Sequence, residues 1–162
     1  MKKTFDLSAA ALHILAMTFM LMDHLWATLL SSQMWLTHVG RLAFPIFAFL
    51  AVEGYFHTRS FKRYALRMLV FALLSEIPFD LFRYGKVFSM EGCNVFVTLF
   101  LGFLLMAVTR CVAESEAGEA RKAVYRLLAL LLAVGAAYLI HSDYSFYGVI
   151  SIYILYMFRY QR

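Results

Sequence analysis

Two cysteines are all the sequence holds, and they cannot meet. Cys93 and Cys111 fall at opposite ends of one apolar stretch, too far apart for a disulfide, and read as free thiols. Neither an HExxH motif nor a cysteine pair at ligand spacing is present, so no metal site is expected. A glycine-rich phosphate loop is missing, and so is GxSxG, the turn that carries a serine nucleophile. There is no low-complexity segment. The one stretch that looks soluble is the charged run from Glu114 to Lys122.

What fills the sequence instead is apolar surface. Hydrophobic residues make up 63% of 162 positions, where a soluble domain is nearer half. A chain this small cannot hide that much, whereas lipid removes the need to hide it. Residues 1–162 therefore read as a single integral membrane domain, with the bilayer as its first partner. The net charge of +5 sits in short loops between apolar stretches. That placement speaks for topology signals and anionic lipid, not for nucleic acid.

A span needs about 20 mostly apolar residues. Six candidates cover roughly 8–30, 36–56, 64–82, 94–112, 123–141 and 145–160. The fold class expected is all-α, a polytopic transmembrane helical bundle of about six spans, N-in/C-in. The N-terminus has the look of a signal peptide. It lacks a small-residue cleavage site, and its apolar run passes Asp23-His24 to reach Leu30, so it reads as a retained first span.

Orientation follows from lysine and arginine. Lys2 and Lys3, the group Arg59, Lys62, Arg63 and Arg67, the group Arg110, Arg121, Lys122 and Arg126, and finally Arg159 and Arg162 all fall on one side of an alternating chain. Against these twelve, the other side has only Arg83 and Lys86. The crowded side is the cytoplasm.

Ionisable groups inside spans are costly and mark function. Asp23, His24, Arg41, Glu76, Asn94 and Asp143 all fall at outer-half depth, and His13, Glu53 and the Arg59–Arg67 group at inner-half depth. This pattern suggests a polar cavity opening outward above a basic mouth. His13, Met17, Met20 and His24 share a helix face. The two histidines, eleven residues apart, are separated by about 16 Å along the axis. Asp23 points about 100° away from His24, which makes Arg41 its expected partner. Each residue also has a plain structural role open to it. Asp23 and Arg41 would pin two helices as an ion pair, His24 would bond a backbone carbonyl, Glu53 would pair with Arg59 or Arg67, and Pro45 and Pro78 would only bend their helices.

Particular strings carry a family likeness. Leu12 to Met17, then Met20-Leu21-Met22-Asp23-His24, resembles the first-span signature of the TraX family. Gly40-Arg41-Leu42-Ala43-Phe44-Pro45-Ile46-Phe47-Ala48-Phe49 with Glu53-Gly54-Tyr55 and Thr58-Arg59 matches as well. Ser75-Glu76-Ile77-Pro78, Asn94 with Thr98-Leu99, and Asp143-Tyr144 with Gly148-Val149 follow in the same order. The family is named for a conjugation protein that acetylates the pilin N-terminus, and it is similar to multispan acyltransferases of the bacterial inner membrane. The resemblance implies acetyl-CoA as acyl donor and an outward-facing acceptor on a peptide, glycan or lipid. It makes His24 the catalytic histidine, with Asp23 and Arg41 in support. Two departures stand out. Position 13, a lysine in the family pattern, is His13 here, and family members usually continue into further spans beyond the position of Arg162.

The residues and the likeness agree on chemistry. Acyl transfer from a thioester needs a base and a group to stabilise the oxyanion. An imidazole suits the first role, and Arg41 the second. Glu76, Asn94 and Asp143 are expected to hold the acceptor. His13, Arg59, Lys62, Arg63 and Arg67 are expected to take the phosphates of acyl-CoA. The competing classes are a small proton or solute transporter built on the same polar stripe, and an inactive membrane scaffold. An oligomer is compatible with any of the three.

Overall fold

The structure, a computed structural model, describes residues 8–161, so Lys2, Lys3 and Arg162 of the topology argument lie outside it. Seven helices follow in order among the described residues: α1 (Ala9–Thr28), α2 (Met34–Gly40), α3 (Ala43–His57), α4 (Phe61–Tyr84), α5 (Val95–Glu114), α6 (Glu119–Leu139) and α7 (Ser145–Tyr160). Among the described residues there is no strand, only an isolated bridge between Cys93 and Ser142. The all-α, polytopic reading holds. Four segments among the described residues are long and apolar enough to cross a membrane: Ala9–Thr28, Met34–His57, Val95–Glu114 and Glu119–Leu139. The 24 residues of α4 have the length but carry Lys62, Arg63, Arg67, Glu76, Asp80 and Arg83. The 16 residues of α7 match the last expected span.

The second expected span is broken. Pro45 lacks an N–H, so the carbonyl four residues earlier, that of Arg41, loses its helical donor. That carbonyl takes a longer bond of 3.4 Å from Phe44 N–H instead, and the helix is interrupted at Arg41-Leu42. Pro78 sits inside α4 without ending it. That helix is fixed at both ends, by the Ser60 hydroxyl accepting from Arg63 N–H and by Gly85 in the left-handed conformation at φ 67°.

The chain divides into two compact units, with the division inside α3 between Glu53 and Gly54. In the first, α1 packs on α2. The closest approach is at Gly40, where a Cβ would stand 2.6 Å from the Cβ of Asp23 and 2.8 Å from its Cα. Only hydrogen fits there.

In the second unit α5 is central and packs against α4, α6 and α7. Its buried side runs through Thr98, Leu99, Gly102, Phe103, Leu105, Met106 and Thr109. Gly102 leaves room for Ile152 of α7, whose Cδ1 would lie 2.6 Å from an added Cβ. Near the middle of α5, Phe103 meets Tyr55 edge-on at 5.5 Å and stacks on Phe61 at 4.8 Å. Tyr55 also meets Tyr156 at 5.8 Å. On α6, by contrast, Leu127, Leu128, Leu131, Leu132 and Leu139 are all exposed. A leucine face of this kind has lipid as its solvent.

Candidate functional site

Within the first unit, each histidine of α1 is bound to its own helix. His13 Nδ1 lies 2.8 Å from the Ala9 carbonyl, and His24 Nδ1 lies 2.7 Å from the Met20 carbonyl. A carbonyl oxygen only accepts, so in both rings Nδ1 carries the hydrogen. In the neutral ring the lone pair then belongs to Nε2. His13 is exposed, whereas His24 is half-buried.

Asp23 has a different partner from the one expected. Its Oδ1 accepts from the Thr37 hydroxyl at 2.7 Å. No ion pair joins it to Arg41 among the described residues. The expectation placed residues 36–56 on one continuous helix. The break before Pro45 instead leaves Arg41 capping α2 and exposed. Glu53 is half-buried on α3.

The second unit assembles another polar group. Glu76 Oε2 on α4 accepts from the backbone N–H of Asn94 at 3.2 Å and also from the Asn94 side-chain amide. That amide donates as well to the Ala72 carbonyl at 2.7 Å. Asn94 Oδ1 accepts from Phe96 N–H at 2.8 Å and so caps α5. Asn94 is 3% exposed, and both of its amide hydrogens are engaged. It therefore fixes Glu76 between α4 and α5 and has no amide hydrogen left over for an acceptor.

Asp143 lies in the turn before α7. Its backbone N–H donates to the Cys93 carbonyl at 2.8 Å, its carbonyl accepts from the Thr98 hydroxyl, and its Oδ1 accepts from Tyr144 N–H at 3.1 Å. His141, Tyr144 and Ser145 around it have φ of 50°, 60° and 44°. Such conformations cost about 1–3 kcal/mol each and persist only where neighbours over-determine them. The Cys93–Asp143 bond and the return bond from Cys93 N–H to the His141 carbonyl at 3.2 Å do that here.

Sequence reasoning passed over Asp80, one turn after Glu76. Asp80 is fully buried, and its Oδ2 accepts from Ser89 N–H at 2.7 Å. Its i, i+4 spacing from Glu76 was the available signal. Burial pushes the Cys93 thiol above its ordinary pKa, and Glu76 and Asp80 push the same way.

The basic residues occupy the α3–α4 turn and the start of α4. Arg59, Lys62, Arg63 and Arg67 are exposed, and the Arg67 guanidinium lies 5.9 Å from the Tyr64 ring centre. Among the described residues no three His, Cys, Asp or Glu side chains form a group able to hold a metal ion.

Apolar helices carrying amide, carboxylate and imidazole groups define a polytopic membrane protein with polar sites built into its helices. The chain belongs to the TraX protein family, whose model matches residues 8–162. It is 30% identical over 161 residues to the probable fimbrial assembly protein FimC, serogroup H1, of Dichelobacter nodosus. The match covers 93% of this chain and 62% of that relative's length. No solved structure matches.

Proposed function

We propose that this chain is a membrane-embedded acyltransferase of the bacterial inner membrane that uses acetyl-CoA to acetylate an outward-facing amine or hydroxyl in pilus or envelope assembly. Family membership and a relative named for fimbrial assembly support the pilus connection. The observation that carries the chemistry is the bond from His24 Nδ1 to the Met20 carbonyl. It fixes the tautomer, so Nε2 is the nitrogen that takes a proton. The acceptor's nitrogen or oxygen attacks the thioester carbonyl and gives its proton to Nε2. The C–S bond then breaks, and the coenzyme thiolate leaves with a proton. Arg41, which forms no ion pair with a described carboxylate, serves the oxyanion. In the second unit, Glu76, held by Asn94, and Asp143 are the groups proposed to bind the acceptor.

Lys62 and Arg63 stand in the first turn of α4, which has no acidic residue. The positive end of the helix disfavours cations there, and a phosphate relieves both. With Arg59 and Arg67 they form the donor's phosphate site.

The test is transfer from labelled acetyl-CoA by purified protein in lipid nanodiscs. Loss of a general base costs about 10²–10⁴ in rate. His24→Ala and His24→Gln are expected to insert, fold and bind acetyl-CoA, and to lose transfer by that factor. Full transfer by His24→Gln makes His24 a structural histidine. A proteoliposome flux that follows a solute gradient, with no release of coenzyme A, establishes transport instead.

A further inference from the structure

Asp23 Oδ1 is occupied by the Thr37 hydroxyl, and Oδ2 takes no hydrogen bond from any described residue. Thr37 is 5% exposed. Three residues later Gly40 brings the backbone of α2 so close to Asp23 that a Cβ would stand 2.7 Å from its backbone nitrogen. A short helix is thus pressed onto α1 at the residue before His24, with one hydroxyl aimed at one carboxylate oxygen. The Thr37 hydroxyl has no other hydrogen-bond partner among the described residues.

We infer that Thr37 and Gly40 are positioning residues for the reaction. Gly40 lets α2 approach, and Thr37 locks the Asp23 carboxylate with Oδ2 as the oxygen it presents. Asp23 and His24 diverge by about 100° on the helix, so the carboxylate acts through space. Held at that depth, it stabilises the positive charge His24 gains on taking the acceptor's proton. This inference rests on the acyltransferase reading.

The experiment uses the full chain in nanodiscs, with acetyl-CoA as donor and hydroxylamine as acceptor probe, read by coenzyme A release above the protein-free rate. Thr37→Val keeps the shape and removes the hydroxyl, whereas Thr37→Ser restores it. Loss of a hydrogen bond to a charged group corresponds to about ten- to a hundredfold. Thr37→Val is therefore expected to lower kcat by that factor with the acetyl-CoA KM within about twofold, and Thr37→Ser to stay within about threefold of the wild type. The infrared carboxylate band assigned by its loss in Asp23→Asn should shift in Thr37→Val and stay in place in Thr37→Ser. Gly40→Ala should lower kcat and move the same band.

An unmoved band, or a wild-type kcat in Thr37→Val, overturns the inference. So does a Thr37→Ser variant as poor as Thr37→Val, since packing alone would then be at stake. A wild-type protein that releases no coenzyme A above the protein-free rate defeats the acyltransferase reading itself, and the band still decides whether Thr37 holds Asp23.

Discussion

Pro45 stands four residues after Arg41 and has no hydrogen to give its carbonyl. The bond that Phe44 supplies instead, at 3.4 Å, is long, and the helix divides there. Pro45→Ala should restore the missing donor and join α2 to α3 as one rod. Spin labels at Met34 and Val52, both in the first unit, should then report the end-to-end distance of a straight helix of that stretch, about 28 Å. Under the proposed function, transfer should fall as Arg41 rotates with its helix, even if stability rises. An unchanged label distance would show that the break does not depend on the proline.

Asn94 has two structural tasks that different substitutions separate. Asn94→Asp keeps the oxygen that caps α5 but removes both amide hydrogens and sets a second carboxylate against Glu76. Asn94→Ala removes the cap and the amide bonds together, at about 1–3 kcal/mol. If the links to α4 matter more than the cap, Asn94→Asp should be at least as destabilised as Asn94→Ala in thermal unfolding in detergent. A near-normal Asn94→Asp protein would show that the cap dominates.

The contact of Gly102 with Ile152 should behave as a coupled pair. Gly102→Ala alone should destabilise by about 1–3 kcal/mol, because the new methyl meets the Ile152 side chain. Ile152→Ala alone opens a cavity. Combined, the two should cost less than their sum by at least about 0.5 kcal/mol. Strict additivity would mean that the helices already shift apart on either change.

The thiol of Cys93 offers a pH readout. Its pKa is raised above the ordinary cysteine value, so the folded state favours the protonated thiol. The stability this contributes is complete below the unfolded thiol pKa, about 8.5. It is lost as pH climbs through the higher folded value. Alkylation of Cys93 should therefore be slow near pH 8 and accelerate only in more alkaline solution, while Cys111, which is exposed, reacts earlier. Cys93→Ala should flatten the alkaline decline in stability. Equal reaction profiles for the two thiols would contradict the burial of Cys93.

Orientation is open to direct labelling. In a background with both native cysteines replaced, an impermeant reagent should reach a cysteine at Ser32 from outside the cell and miss one at Ser60. Reversed accessibility would turn the molecule over and place His24 at the cytoplasmic side.

Helix identity was legible because hydrophobic runs and capping residues are local. The extent of α7 was read to the residue, and α5 begins one position after Asn94 because that asparagine is its cap. Helices α4 and α6 start earlier than hydropathy indicates, at Phe61 and Glu119. Charged residues sit comfortably in a first turn at the membrane surface, so charge did not mark the helix boundary. The partner of Asp23 was not legible. Arg41 was the expected partner because it lies at a similar depth in the adjacent span, but depth does not say which side chain meets a carboxylate, and Thr37 reaches Asp23 across a turn with no period of its own. Asn94 showed as a polar residue at a span edge, but only the fold reveals that its own cap and Glu76 occupy it.

The joint between the α4–α5 connection and the start of α7 is made by main-chain atoms, with the N–H and carbonyl of Cys93 bonded to His141 and Asp143. Every residue except proline owns both groups. The joint is thus written in spacing and not in letters. Substitution at positions 93, 141 or 143 leaves the bonds available, whereas inserting or deleting one residue between Leu139 and Ser145 shifts the frame and breaks them. Chains that share this joint can differ in the side chains at positions 93 and 143, provided the count between the two helices is kept.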